Sequence, residues 1–372
     1  MRRIRCCLLI LIALWGMSVP FHHEGFANPA RQVILTVSAS DQSTAESRLI
    51  ILDHRTFGDL SRSGVRKPAR TIPVSDASLT LFDGQAAVTY LVDRQGNLFD
   101  EKTNQVLLLE EAKRAELLKY IDYVRSHYYG TMLEWEEASA LIPKKAKFQV
   151  IDLDTGLSFR VQRRAGKHHA DVQPLTKEDT RIMKQIYNGT WSWKRRAILV
   201  KAGDRYLAAS MHGMPHGADG IRNNGVRGHF CIHFLGSTTH GSRQIDPEHQ
   251  LLIKKAAGRT KQYLDQASPY EVIDTFLVAL NLNESRIVKM CFLQPSHPQV
   301  EEIVRLRNEI TGLAKRSPPE IEDHENVLTM EIPVDVSISR KGRRDEKTTF
   351  VFHMKRLSVM APWKIDFIDA NM

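Results

Sequence analysis

Cysteine is scarce: the 372 residues hold four, and two of these, Cys6 and Cys7, fall in an N-terminal apolar run. Only Cys231 and Cys291 lie beyond it. Two cysteines cannot make the disulfide framework of a small secreted scaffold. They pair with each other, or Cys231 is a free thiol. The chain also lacks an internal repeat, a low-complexity tract and a nucleic-acid-binding motif. Its most glycine-rich stretch, "GADGIRNNG", carries no Lys-Ser/Thr and follows no parallel-strand pattern, which excludes a phosphate-binding loop. The longest apolar run, "CCLLILIALWGMSV", falls short of the roughly 20 residues of a membrane-spanning helix.

That run has another use. It follows the positive "MRRIR" and precedes the small residues Gly25 and Ala27, the pattern of a signal peptide cleaved after Ala27. Residues 1–27 are therefore read as an export signal, with an uncleaved N-terminal anchor as the alternative. The formal net charge is +9, and the chain stays basic without Arg2, Arg3, Arg5 and Glu24. A basic exported protein suits an anionic surface, a cell wall or membrane, and export argues against a nucleic-acid partner.

A composition of 42% hydrophobic and 26% charged residues supports a packed core, and the length allows two or three domains. The expected class is α+β multidomain. Residues 30–141 form an N-terminal α+β domain. Its strands are "RQVILTVSA", "SRLIILDH", "SLTLFD" and "AAVTYLVD", with "RSGVRKPART" as a basic turn region. A helix follows with Leu117, Ile121, Val124 and Tyr128 on one face and Gly130 as its stop. Residues 142–266 form a mostly-β central domain. There "FQVIDLDTGLSFRVQ" reads as two strands, Thr176 and Asp179 as a helix start, and "WSWKRRAILVKAGDRYLAASM" as a hairpin turning at Ala202-Gly203-Asp204. A helix is expected over 246–265. Residues 267–372 form a second α+β domain. It starts with a cap at Ser268, Pro269 and Glu271, continues with a helix over 298–315, and ends in three alternating strands. Helices followed by a long antiparallel sheet are similar to the cone-shaped nuclear transport factor 2-like folds.

The chemistry concentrates in "MHGMPHGADGIRNNGVRGHFCIHFLGSTTHG". Five histidines, His212, His216, His229, His233 and His240, surround Cys231. Side chains alternate along a strand, so His229, Cys231 and His233 share one face, while Phe230, Ile232 and Phe234 share the core face. A thiol becomes nucleophilic when a nearby imidazole takes its proton. Strand neighbours of Cys231 are poorly placed for that, whereas the turn-rich loop after Gly217 can return His216 or His212 alongside it.

This stretch resembles the active site of L,D-transpeptidases, which carry a His-Gly pair, a loop, and a Ser-x-Gly-Cys-Ile/Val-Arg strand. Here His216-Gly217 and Cys231-Ile232 match. Gly228 stands at the family's Ser, Phe230 at its Gly and His233 at its Arg. The resemblance implies a mostly-β central domain, Cys231 as nucleophile and His216 as base. His229, His233, Gly217 and His212 would line the site. The implied substrate is a peptidoglycan stem peptide, attacked at an L-to-D bond, with backbone N–H groups holding the oxyanion and an amine or water as acceptor. No cofactor and no metal is assigned to this mechanism, and no protein partner is identified.

Two rival readings use the same residues. A zinc-dependent wall hydrolase could draw ligands from His216, His229, Cys231 and His233, with "HHAD" at 168–171 as a further source. His229 and His233 would be about 13 Å apart on a straight strand, too far to share one ion. A non-catalytic wall-binding protein would keep the fold without the turnover. Trp191 and Trp193 alternate around Ser192, as core packing or as a stacking surface for sugar rings.

Overall fold

The computed structural model describes residues 9–14, 32–51, 64–83, 86–317 and 323–370. It is an α+β protein, mostly β. Of the leader read at 1–27, only Leu9–Leu14 falls among the described residues, where it is a strand. Cys6, Cys7 and the cleavage position lie outside them. The chain divides into two compact units, Met1–Gly130 with Ile151–Leu157, and Thr131–Val150 with Ser158–Met372.

The first unit carries an eight-stranded sheet. In chain order its strands are β1 (Leu9–Leu14), β2 (Gln32–Val37), β3 (Glu46–Ile51), β4 (Val65–Pro68), β5 (Ala77–Asp83), β6 (Ala86–Val92), β7 (Leu98–Asp100) and β8 (Gln105–Leu108). They lie in the order β1-β3-β2-β5-β6-β7-β8-β4. Strands β2 and β3 bury every second residue, among them Val33, Leu35, Leu49 and Ile51, as a sheet with one covered face requires. Helix α1 (Glu111–Tyr128) covers β2 and β3 with Leu117, Ile121, Val124 and Tyr128, the face expected from its 3.6-residue period. The basic stretch read as a turn is in part strand β4. All four of its residues are exposed, so no alternation betrays it, and it sits on the sheet edge, where Pro68 is tolerated.

The second unit is built on a closed barrel of β9 (Lys147–Asp152, in this unit as far as Val150), β10 (Ser158–Ala165), β11 (Ala170–Pro174), β12 (Ser192–Ala202), β13 (Arg205–Gly213) and β14 (Phe230–His233), in the order β10-β11-β14-β13-β12-β9. Ala202 pairs with Arg205 around the expected Gly203-Asp204 turn. Helices α2 (Trp135–Leu141) and α3 (Lys177–Ile186) precede and interrupt the barrel strands. Thr176 caps α3 by accepting the Asp179 N–H at 3.1 Å.

The helix expected over 246–265 is two, α4 (Pro247–Ala256) and α5 (Thr260–Gln266). They part at Gly258, whose φ of 64° is the left-handed stop that glycine provides. Then come α6 (Pro269–Leu282), α7 (Ser285–Cys291) and α8 (Pro298–Leu306). The Ser268/Glu271 capping box forms in full, with bonds of 3.2 and 2.8 Å. The expected helix over 298–315 ends at Leu306, and Ile310–Lys315 is strand β15. Val300, Ile303 and Ile310 mimic helical spacing, but Ile310 and Leu313 serve a sheet instead. That sheet runs β15, β16 (Thr329–Arg340), β17 (Glu346–Lys355), β18 (Lys364–Asp369). One apolar cluster reaches from Leu251 on α4, through α6 and α7, to Ile368 on β18. Buried Lys255 of α4 adds an ion pair to Glu284, 2.7 Å away at the start of α7.

Candidate functional site

Strand β14 lies between β11 and β13. Its register sets Cys231 opposite Asp171 and His233 opposite Ser210. Phe230 turns to Phe159 of β10, while the opposite face carries Cys231 and His233, and the His233 end of that face is covered by His249 of α4. All four residues of β14 are buried. The alternation expected from sequence is real, but a closed barrel with a helix laid on it buries both faces.

Just before β14, His216 and His229 exchange two backbone hydrogen bonds, each 2.8 Å. This clasp closes the loop 217–228 at its mouth and brings the His216 ring back over Cys231. Glycine is required at both ends. A Cβ on Gly217 (φ 65°) would stand 2.4 Å from the His229 ring, and one on Gly228 (φ 87°) would stand 2.6 Å from the His216 carbonyl oxygen. Buried Gln173 on β11 pins the loop further, donating to Asp219 and to the Gly228 carbonyl and accepting the Ile221 N–H.

The result is a thiol–imidazole pair. Cys231 Sγ lies 3.5 Å from His216 Nε2. His216 Nδ1 lies 3.0 Å from the Met214 carbonyl, which can only accept. Nδ1 therefore carries the proton, and Nε2 presents its lone pair to the thiol. Asp171, opposite Cys231, is a hub. Its Oδ1 is 2.9 Å from His240 Nε2, 3.1 Å from His169 Nε2, and 3.9 Å from both His229 Nε2 and Cys231 Sγ.

These neighbours set the protonation states. Burial works against ionising Asp171, but the contact with His169, then the fields of His229 and His240, hold its carboxyl below the usual range. Burial, and next the Asp171 charge, push the Cys231 thiol far above its ordinary value. Burial lowers His216, with His229 and His240 adding to it and the Met214 carbonyl opposing. At neutral pH the pair rests as thiol and neutral imidazole beside an anionic carboxylate.

The other expected site residues divide. His229 sits at the rim with Nδ1 3.2 Å from the Ala218 carbonyl, and its Nε2 has no hydrogen-bond partner among the described residues. Gly217 is exposed beside it. His212 is buried behind His216, ring centroids 5.3 Å apart, and lowered to about 3 by burial and then by His216. His233 is stacked between His169 and His249 at 4.5 and 3.9 Å and contacts Ser237 Oγ at 3.0 Å. Burial, then His249, keeps it neutral. It is part of the wall of the site.

Sequence reading carried His240 only as one of five histidines around the thiol, and Asp171 only as a spare ligand. They lie far along the chain from each other, and only the β11–β14 register brings Asp171 to the thiol. Half-exposed Trp193 completes the rim, its ring 5.2 Å from that of His216. Among the described residues two groups have metal-ligand spacing, His216, His229, Cys231 and His240, and His169, Asp171, Cys231 and His240, each with its donor atoms within 4.8 Å of one another. Cys231 and Cys291 are both free thiols. Compared with known proteins, the chain matches no family model and no curated protein.

Proposed function

We propose that the protein is an exported cysteine acyltransferase or peptidase of the cell wall, acting on peptidoglycan stem peptides through a Cys231 thioester. One observation carries the reading: a thiol 3.5 Å from an imidazole nitrogen whose tautomer is fixed by a backbone carbonyl. The stem-peptide substrate rests on the resemblance of His216-Gly217 and Cys231-Ile232 to the L,D-transpeptidase motif. The closed barrel and the helix-backed terminal sheet are compatible with the mostly-β catalytic domain and the nuclear transport factor 2-like accessory domain read from sequence.

Mechanistically, the Sγ–H proton passes to His216 Nε2 as sulfur bonds to the peptide carbonyl carbon. The C–N bond then breaks, and the departing amine takes the proton from Nε2. An incoming amine or water cleaves the thioester and restores the thiol. The high proton affinity of Cys231 favours transfer concerted with attack over a standing thiolate. Asp171 sets the charge around the imidazole cluster that receives the proton. Trp193 offers an apolar face at the entrance for a sugar ring or stem side chain.

The test is intact mass of the chelator-treated protein after exposure to tetrapeptide stem fragments. The expected product is an acyl adduct mapping to Cys231, absent in Cys231→Ala and strongly reduced in His216→Ala. No adduct and no peptide turnover in the unmodified protein overturns the enzyme reading. Retained binding to wall material would then identify a non-catalytic binding protein.

A further inference from the structure

We infer that His216, His229, Cys231 and His240 form a binding site for one zinc-class divalent ion, and that its occupation holds the thiol in an inactive, protected state. The donor set is the first ground. Three imidazoles and one thiolate suit zinc, which takes Cys and His in tetrahedral array. The second is geometry. Zinc bonds of about 2.3 Å to sulfur and 2.0–2.1 Å to nitrogen place two tetrahedral ligand atoms about 3.5 Å apart. Cys231 Sγ and His216 Nε2 are separated by 3.5 Å, and all four donors lie within 4.8 Å of one another. His240 is half exposed on a loop, so its ring can give up the 2.9 Å contact of Nε2 with Asp171 and supply the contraction required.

The third ground is the surrounding shell. Metal-binding histidines commonly donate their second ring N–H to a carbonyl or carboxylate, which aims the other nitrogen at the ion. His216 does this to Met214 and His229 to Ala218, at 3.0 and 3.2 Å. His229 Nε2 is then a buried nitrogen with no hydrogen-bond partner among the described residues, which an ion would satisfy. Asp171 adds a buried negative charge beside the site. His233, a ligand candidate on sequence, is excluded by its place in the stack with His169 and His249.

On binding, the Cys231 S–H bond breaks, its proton goes to solvent, and the thiolate bonds to the ion. Each imidazole bonds through an unprotonated ring nitrogen, as metal ligation requires. The same ion occupies the lone pair of His216, so neither nucleophile nor base is free. This consequence for activity rests on the acyl-enzyme reading; the site itself does not.

The test begins with protein stripped of metal by a chelator and titrated with Co²⁺ as a spectroscopic stand-in, then with Zn²⁺. Expected are one ion per chain, a sulfur-to-cobalt charge-transfer band and intense tetrahedral ligand-field bands, all displaced by Zn²⁺. Cys231→Ser should lose the charge-transfer band. His229→Ala and His240→Ala should weaken binding at least about tenfold, with an unchanged circular dichroism spectrum. Zn²⁺ should also slow alkylation mapping to Cys231 and leave that at Cys291 unchanged. Absence of the charge-transfer band in the folded protein, or equal affinity in Cys231→Ser, overturns the site. Turnover of stem fragments by the stripped protein should stop at one equivalent of Zn²⁺, and turnover unaffected by the bound ion overturns the protective role. A full set of cobalt bands with no turnover in either state leaves the metal site standing and defeats the acyl-enzyme reading alone.

Discussion

At the scale of single residues, backbone conformation constrains this site as tightly as side-chain chemistry. Gly228 has a left-handed backbone, and its missing Cβ is the space taken by the His216 carbonyl. Gly228→Ala should destabilise the protein by at least about 1–2 kcal/mol, the cost of a left-handed L-residue, and should abolish the proposed acylation of Cys231 by opening the His216–His229 clasp. Thermal melting and intact mass read the two effects. His249 makes a second residue-scale prediction. It is fully enclosed, stacked on His233, bonded to Ser210 Oγ at 2.9 Å, and faced by His212, His169 and Arg195. Burial, then the Arg195 charge, holds it well below its ordinary pKa of 6.5. The unfolded chain therefore binds the extra proton first. Stability is full above about pH 6.5 and falls by about 1.4 kcal/mol per pH unit below it for this group. Urea midpoints at pH 7 and pH 5 should show that fall, and His249→Gln should reduce it.

At the scale of elements, Tyr128 ties helix α1 to its sheet. Its buried hydroxyl accepts the Ala39 N–H at 3.1 Å and donates toward the Ala45 and Leu153 carbonyls at 3.0 and 3.2 Å. Tyr128→Phe leaves those groups without their hydroxyl and should cost about 1–3 kcal/mol in urea unfolding. Elements with strong local signals were legible in the sequence: the α1 face, the Ser268 capping box, the Gly203 turn and the last three strands of the terminal sheet. Those without one were not. Strand β4 is all exposed and depends on β8 for its conformation. Strand β15 carries apolar residues at helical spacing, and its pairing with β16 overrides them. The Cys231–His216 pair was visible because both residues flank one loop. Asp171 was seen only in outline, because its place opposite Cys231 is a fact of register.

At the scale of the whole molecule, the terminal helices and sheet share one apolar cluster with α4, and Lys255–Glu284 adds a buried ion pair between α4 and α7. Glu284→Gln removes the carboxylate from this buried pair and should cost about 3–5 kcal/mol. Because the cluster is continuous, that loss should lower the unfolding midpoint of the barrel and the terminal sheet together, which hydrogen exchange can resolve. The net charge of +9 makes a separate prediction. If the proposed wall association holds, retention on isolated sacculi should weaken as salt rises from 50 to about 500 mM, since screening shortens the reach of the net positive charge. Cys231→Ala should leave that retention unchanged.

The double backbone bond between His216 and His229 has one more consequence. It separates the position of the proposed base from the content of the loop it closes. Residues between Gly217 and Gly228 can be exchanged, provided the two glycines, the Gln173 contacts and the Asn224 anchor to the Pro174 carbonyl are kept, without moving His216 from the thiol. On the proposed function the loop is thus an exchangeable cassette above the Cys231–His216 pair, and grafting it is expected to alter selectivity while that pair keeps its place.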